Sequence, residues 1–206
     1  MHSTRVHRNH GVAFATALAA IALSLGARAD DLEVYRAWIN GAQEVPPVAT
    51  DARGRFFLRI DELDDHDDDD DDDDWDDDWD DDKHGGAATS ARYVLIVALV
   101  SNVTAAHLHM APTGTNGPVV VSLFNGQLLG TVNGVLSSGT ITSNSLVGPL
   151  AGQGIQALKN AMDAGRIYVN VHTVQNPSGE MRGQVLRVGS AKAAKSVSRP
   201  VAKRRR

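Results

Sequence analysis

Residues 167–188 read IYVNVHTVQNPSGEMRGQVLRV, and their spacing decides the fold class. Ile167, Val169 and Val171 alternate with Tyr168, Asn170 and His172, the two-residue period of a strand that turns one face to a core. Asn176-Pro177-Ser178-Gly179 supplies turn chemistry, and EMRGQVLRV returns as the last strand. The same grammar recurs upstream. LEVYRAWI runs to an Asn40-Gly41 turn, and GRFFLRID alternates Phe56, Leu58 and Ile60 against Arg55, Phe57 and Arg59. ARYVLIVALVSNV is too rich in β-branched residues for a helix and reads as a core strand, the antiparallel partner of GRFFLRID. AAHLHM puts His107 and His109 on one face and Leu108 on the other; PTGTNGP is a turn cluster and PVVVSLF a strand. TVNGVLSSGTITSNSLV reads as a hairpin or strand pair, and Pro46-Pro47 confines AQEVPPV to an edge or an extended loop. One helix interrupts this series: Ile155, Leu158 and Met162 lie at i, i+3 and i+7, with Gly165 as the C-cap. Short strands at regular spacing predict an all-β chain, an antiparallel β-sandwich with one short helix.

The 206 residues include no cysteine, which excludes disulfides, reactive thiols and thiolate metal sites. MHSTRVHRNH carries Arg5 and Arg8, an apolar run follows, and Ala27-Arg28-Ala29 has the form of a signal peptidase site. Residues 1–29 are therefore expected to be a signal peptide, and 30–189 a secreted or periplasmic domain. The competing reading is an N-terminal anchor, for which the apolar run is short. The net charge of −5 conceals an uneven distribution: 16 aspartates fall within residues 64–82, and basic residues gather after Ala191. The body between is nearly neutral, so it implies neither nucleic acid nor a membrane span after cleavage. Residues 190–206 have no apolar period and read as a disordered basic tail.

Three blocks, GAQEVPPV, AHLHMAPTGTNGPVVVSLF and YVNVHTVQNPSGEMRGQV, resemble the core of the CHRD domain, first described in chordin and widespread in secreted bacterial proteins. The resemblance covers roughly residues 32–188, the aspartate run excepted. It implies an immunoglobulin-like β-sandwich, and a family in which most members have no established biochemical activity.

His-x-His on a strand sets two imidazoles on one face about 7 Å apart. His172, opposite in parity to Ile167, Val169 and Val171, supplies a third nitrogen if the strands are neighbours. Three neutral imidazoles with an open position suit copper or zinc. The other reading has these histidines donating to loop backbone and holding GTNGP in place. At fold level His-x-His is similar to the strand of Greek-key copper-zinc superoxide dismutases, an analogy without a matching zinc site. Glu44, Glu180 and Arg182 are the remaining pointed polar residues. Glu180 and Arg182 share strand parity and are expected to pair, or to contact a ligand or support His172, and Glu44 is a candidate for orienting a histidine.

The aspartate run reads as a hairpin connection grown long, at little cost in closure entropy. Its charges lie within a Debye length of one another and predict disorder in the free segment. Lacking internal glycine, the run predicts only weak calcium binding, taken through Asp67, Asp70, Asp74 and Asp78. Trp75 and Trp79 are candidate aromatic contacts to a partner. No nucleophile motif, phosphate loop or nucleotide fingerprint appears, so no catalytic residue is assigned. The leading expectation is a secreted, non-enzymatic binding module with an unknown protein or cell-surface partner. The alternative is a copper-dependent redox protein.

Overall fold

A computed structural model describes residues 33–62 and 88–188. The expected signal peptide, the acidic run with Asp67, Asp70, Asp74, Asp78, Trp75 and Trp79, and the basic tail lie outside the described residues. Seven strands and one α-helix follow in order: β1 (Val34–Asn40), β2 (Arg53–Glu62), β3 (Ala88–Met110), β4 (Val119–Ile141), α1 (Ile155–Asp163), β5 (Ile167–Thr173), β6 (Met181–Gln184) and β7 (Leu186–Val188). No helix among the described residues is long and apolar enough to cross a membrane.

All pairings between these strands are antiparallel. Hydrogen bonding does not divide them into the two separate sheets of the expected sandwich. It runs continuously through β2-β1-β6-β5-β3 and returns from β3 to β2, closing a barrel-like arrangement. The closure depends on β3, which pairs with β2 through Ala98 and with β5 from Val103 onward. Between these two ladders Leu99 and Asn102 adopt positive φ, at 59° and 54°, an uncommon conformation that for leucine is strained. Side chains from both strands brace the bend: the Leu99 amide donates to Asn133 Oδ1 at 2.9 Å, and the Gly130 amide to Asn102 Oδ1 at 3.0 Å.

Two sequence expectations change accordingly. AAHLHM continues β3 rather than starting a new strand, and TVNGVLSSGTI continues β4 rather than forming a hairpin. Within that stretch Asn133-Gly134 lies beside one of several register shifts between β3 and β4, with Gly134 at φ 120°. The inward residues of GRFFLRID are Phe56, Leu58 and Ile60, as the alternation predicts. They meet Tyr35, Leu95, Leu108, Val169 and Val171 in one core. Helix α1 buries Ile155, Leu158, Ala161 and Met162 on that core. Its polar side is tied down by Tyr35 Oη–H donating to Asp163 at 2.7 Å and by Lys159 lying 2.9 Å from Glu33.

Candidate metal centre

Every residue of β5 is buried, which is unusual for a strand with one polar face. Ile167, Val169 and Val171 are accounted for by the core. Tyr168, Asn170 and His172 look outward and are covered by loops, so their polar groups need partners within the protein. Register supplies the neighbours: His109 is opposite Tyr168, His107 opposite Asn170, Ala105 opposite His172, and Asn170 in turn opposite Arg182. Residues opposed in an antiparallel pair share a face. His172 is thereby brought diagonally against His107.

The three histidines converge. One ring nitrogen from each lies within 4.8 Å of the other two, and His107 Nδ1 stands 3.2 Å from His172 Nε2. Tetrahedral nitrogen ligands about 2.0–2.1 Å from one zinc ion stand roughly 3.3 Å apart, so this pair is already spaced for a shared ion. The third must close in by up to about 1.5 Å. The ring centroids of His107 and His109 are 5.7 Å apart, inside the 7 Å that an ideal flat strand predicts.

Hydrogen bonding fixes which nitrogens are available. His109 Nδ1–H donates to the Gly117 carbonyl at 2.9 Å, and His172 Nδ1–H to the Pro177 carbonyl at 3.0 Å. A carbonyl only accepts, so in both rings Nδ1 carries the proton and Nε2 keeps its lone pair; His172 Nε2 therefore accepts from His107 Nδ1–H, and an ion held by all three rings would take the place of that proton. Binding backbone carbonyls through the far nitrogen is how metal-ligating histidines are usually oriented. His109 Nε2 is buried and has no partner. The loop-holding and ligand readings of these histidines therefore concern opposite nitrogens of the same rings. Both bonds fall on turns that the sequence singled out, GTNGP and NPSG. A side chain at position 117 would press on the Met110 carbonyl, at 2.1 Å from the added carbon, so only glycine lets this turn fold back onto β3.

Burial pushes all three imidazoles below their ordinary pKa, His172 to about 4. Opposing shifts come from Asn125 on His107, the Gly117 carbonyl on His109 and the Pro177 carbonyl on His172, and none of them prevails. The rings are neutral at pH 7, the form that binds a metal. His107 is the half-exposed member; His109 and His172 are buried.

A second polar group abuts the first. His109 stacks on Tyr168 at 4.9 Å between ring centroids, and the buried guanidinium of Arg182 lies over the same ring at 3.6 Å. Arg182 donates to Asn116 Oδ1 at 3.0 Å, the Thr115 carbonyl at 2.8 Å and the Pro112 carbonyl at 3.4 Å. Asn116 reaches on to the Val45 carbonyl at 2.8 Å. Glu180, expected to pair with Arg182, instead accepts from Thr50 at 2.5 Å, Thr173 at 3.0 Å and Asn176. It sits at the turn before β6 begins, where hydroxyl and amide donors surround it. Burial pushes its carboxyl up, but those hydrogen bonds outweigh burial and hold it below the usual range.

Glu44 is placed beside Asn170 and Arg182 rather than against a histidine. Burial pushes its carboxyl up to about 7 against the opposing effects of Arg182, the Val45 backbone and Asn170. Glu44 Oε1 and Asn170 Oδ1 are both buried without a donor. Each lies within 2.7 Å of where a side chain on Gly179 would begin, at φ 140°, so only glycine lets the loop close over them. The folded pKa exceeds the ordinary carboxylate value, so the stability linked to Glu44 is complete below about pH 4 and lost as pH rises through about 7. Glu44→Gln removes that loss and offers an amide to Asn170 Oδ1. The difference in thermal midpoint between variant and wild type should grow from pH 5 to pH 8, to the equivalent of roughly 2 kcal/mol. A difference independent of pH in calorimetric melts would contradict this.

Tyr168, Asn170, Asn116 and Asn125 join the site without having been singled out by sequence reasoning. The available signal was the polar parity of YVNVHT, which marks Tyr168 and Asn170 as companions of His172.

A family model described as the CHRD domain matches residues 35–185. No curated protein and no solved structure matches the chain.

Proposed function

The chain belongs to the CHRD domain family, and from that premise we propose that it is a non-enzymatic binding module holding one late first-row transition ion, copper or zinc, at His107, His109 and His172. The observation that carries this reading is the unpartnered, buried His109 Nε2 beside two imidazoles already spaced for one ion. An orphaned buried acceptor costs about 1–3 kcal/mol, and a metal ion would satisfy it. Nitrogen-only donors favour copper, zinc or nickel over calcium and magnesium. The leader reading of residues 1–29 supports export, where the module would meet its metal and its partners. A second reading, copper redox chemistry, draws on the half-exposed His107. That side of a three-nitrogen site has room for an exchangeable ligand.

The test is calorimetric titration of zinc and of copper into chain 30–206 and into its His109→Ala variant. The aspartate run is present in both, so its diffuse contribution cancels. One tight site per chain is expected in the wild type, with affinity falling by at least about 100-fold in the variant. Equal affinities would sink the proposal. Superoxide consumption by the copper-loaded wild type, absent from His109→Ala, would favour the redox reading.

A further inference from the structure

The outer face of β1, β2 and the first half of β3 has a composition that neither the core nor the histidine site requires. Tyr35, Ala37 and Ile39 turn inward, so Arg36 and Trp38 turn outward. Register places Phe57 opposite Arg36 and Arg55 opposite Trp38, then Val94 opposite Phe57 and Ile96 opposite Arg55. Val135 follows on β4, and Leu186 on β7 stands beside Arg36. Trp38 is 53 % exposed, Val135 61 % and Leu186 56 %. Arg36, Arg53, Arg55 and Arg92 share the face, and Arg59 lies buried beneath it against Asp61. The Arg55 guanidinium lies 4.0 Å over the Trp38 ring. Among the described side chains of these strands, Asp61 is the carboxylate on the face, 2.7 Å from Arg59 and 3.1 Å from Arg92. The result is an exposed apolar strip lined by guanidinium groups, the kind of surface that marks an interaction site.

We propose that this face is the docking surface for the chain's own residues 63–87. Three observations select that occupant. The charges are complementary, with 16 aspartates in residues 64–82 and four outward arginines on the face, Arg36, Arg53, Arg55 and Arg92. The tether is correctly placed, because the segment leaves from Glu62 and returns at Ala88, register partners on the two strands that carry most of the arginines. The reach suffices: each half of the segment spans about 40 Å when extended, whereas β2 from Glu62 back to Arg53 is about 30 Å long. Tethering also holds the segment near the face at an effective concentration on the order of millimolar. Trp75 and Trp79 have the chemistry to meet the apolar strip, and the aspartates to meet its arginines.

The experiment uses chain 30–206 with residues 63–87 replaced by a glycine-serine linker of equal length, and a free peptide of sequence 63–87. Chelator is present throughout, so the histidine site has no part in the readout. At about 0.01 M salt, where charges act over about 30 Å, the peptide should bind the linker chain. At about 1 M, where they act over about 3 Å, binding should be lost. The intact chain should bind the peptide at least about tenfold more weakly, its face being occupied. Arg36→Glu with Arg53→Glu in the linker chain should weaken binding by at least about tenfold. The proposal is overturned if no binding occurs, if intact and linker chains bind equally, or if the arginine variant binds like its parent. Binding that disappears when residues 189–206 are removed would also overturn it, by assigning the peptide to the basic tail. In case the linker chain does not fold, the full-length chain carrying Trp75→Phe and Trp79→Phe gives an independent reading from Trp38. Acrylamide quenching of its fluorescence should rise with salt as the face is uncovered, and quenching unchanged by salt would refute the docking.

Discussion

Arg182→Met should lower the thermal midpoint of the metal-free chain by roughly 10 °C or more, equivalent to about 3 kcal/mol. Arg182 is 2 % exposed, and its guanidinium is the donor for Asn116 and for the Thr115 and Pro112 carbonyls. Methionine fills similar length but donates nothing, so three loop acceptors lose their partner in a place water does not easily reach. Glu44 also loses the positive charge that opposes the effect of burial on its carboxyl. Arg182→Lys should recover only part of the loss, because an ammonium cannot spread over the Tyr168 ring or reproduce a planar fork of donors. The effect should also reach the histidines. The Gly117 amide donates to Tyr168 Oη at 3.1 Å, and the Gly117 carbonyl accepts from His109. A loop released from Arg182 thus loosens the bond that orients His109, and zinc affinity measured well below the midpoint should fall with it. A variant that melts like wild type would show that the guanidinium is not what holds residues 112–116 in place.

The strands and helix were legible because their signals are local. Alternation in GRFFLRID and IYVNVHT sets which residues face inward, whatever the strands pair with. The spacing of Ile155, Leu158 and Met162 does the same for α1. Parity alone also put His107, His109 and His172 on solvent-side faces, which is why the triad was identifiable before any pairing was known. Closure of the sheet was not legible. It depends on Leu99 and Asn102 taking positive φ inside a run of β-branched residues, and leucine carries no local preference for that conformation. The compensating bonds come from Asn133 and Gly130 on the neighbouring strand. The Asn133-Gly134 pair therefore looks like a hairpin turn locally, yet works as part of a bent ladder.

The partners of Glu180 and Arg182 show the same limit from another side. Two residues apart on a strand, opposite charges pair unless something competes. Here the competitors arrive from distant segments: Thr50 for Glu180, and Pro112 through Asn116 for Arg182. Each charge receives several directed hydrogen bonds, which in a buried setting offset desolvation better than a single ion pair. Sequence spacing could not reveal this, because the polar face of β5 is buried only once the loops at 44–50, 111–118 and 176–180 have folded over it. That burial separates this candidate metal centre from an exposed histidine pair.

Acidification should destabilise the metal-free chain and, at the same time, erase the stabilisation that an ion on the proposed triad would provide. An unfolded histidine titrates near 6.5, whereas folded His172 does so at about 4 and His107 and His109 also lie below the ordinary value. Folded pKa values that are depressed give stability that is complete above the unfolded value and is lost as pH falls toward the folded one. The window for His172 is therefore about pH 6.5 to 4, and its share is at most about 3 kcal/mol. Glu44 acts with the opposite sign through pH 7, so the chelated chain should be most stable slightly on the acid side of neutrality. In Glu44→Gln only the acid limb should remain. On the proposed triad, zinc at a thousandfold its dissociation constant would add about 4 kcal/mol at pH 7.5. The ion binds only neutral rings, so protons competing for the same lone pairs weaken it before they unfold the chain. Thermal melts with zinc and with chelator should thus be well separated at pH 7.5 and converge toward pH 5. A separation that survives to pH 5 at full height would place the zinc on carboxylates, and one that survives His172→Ala at pH 7.5 would exclude the triad.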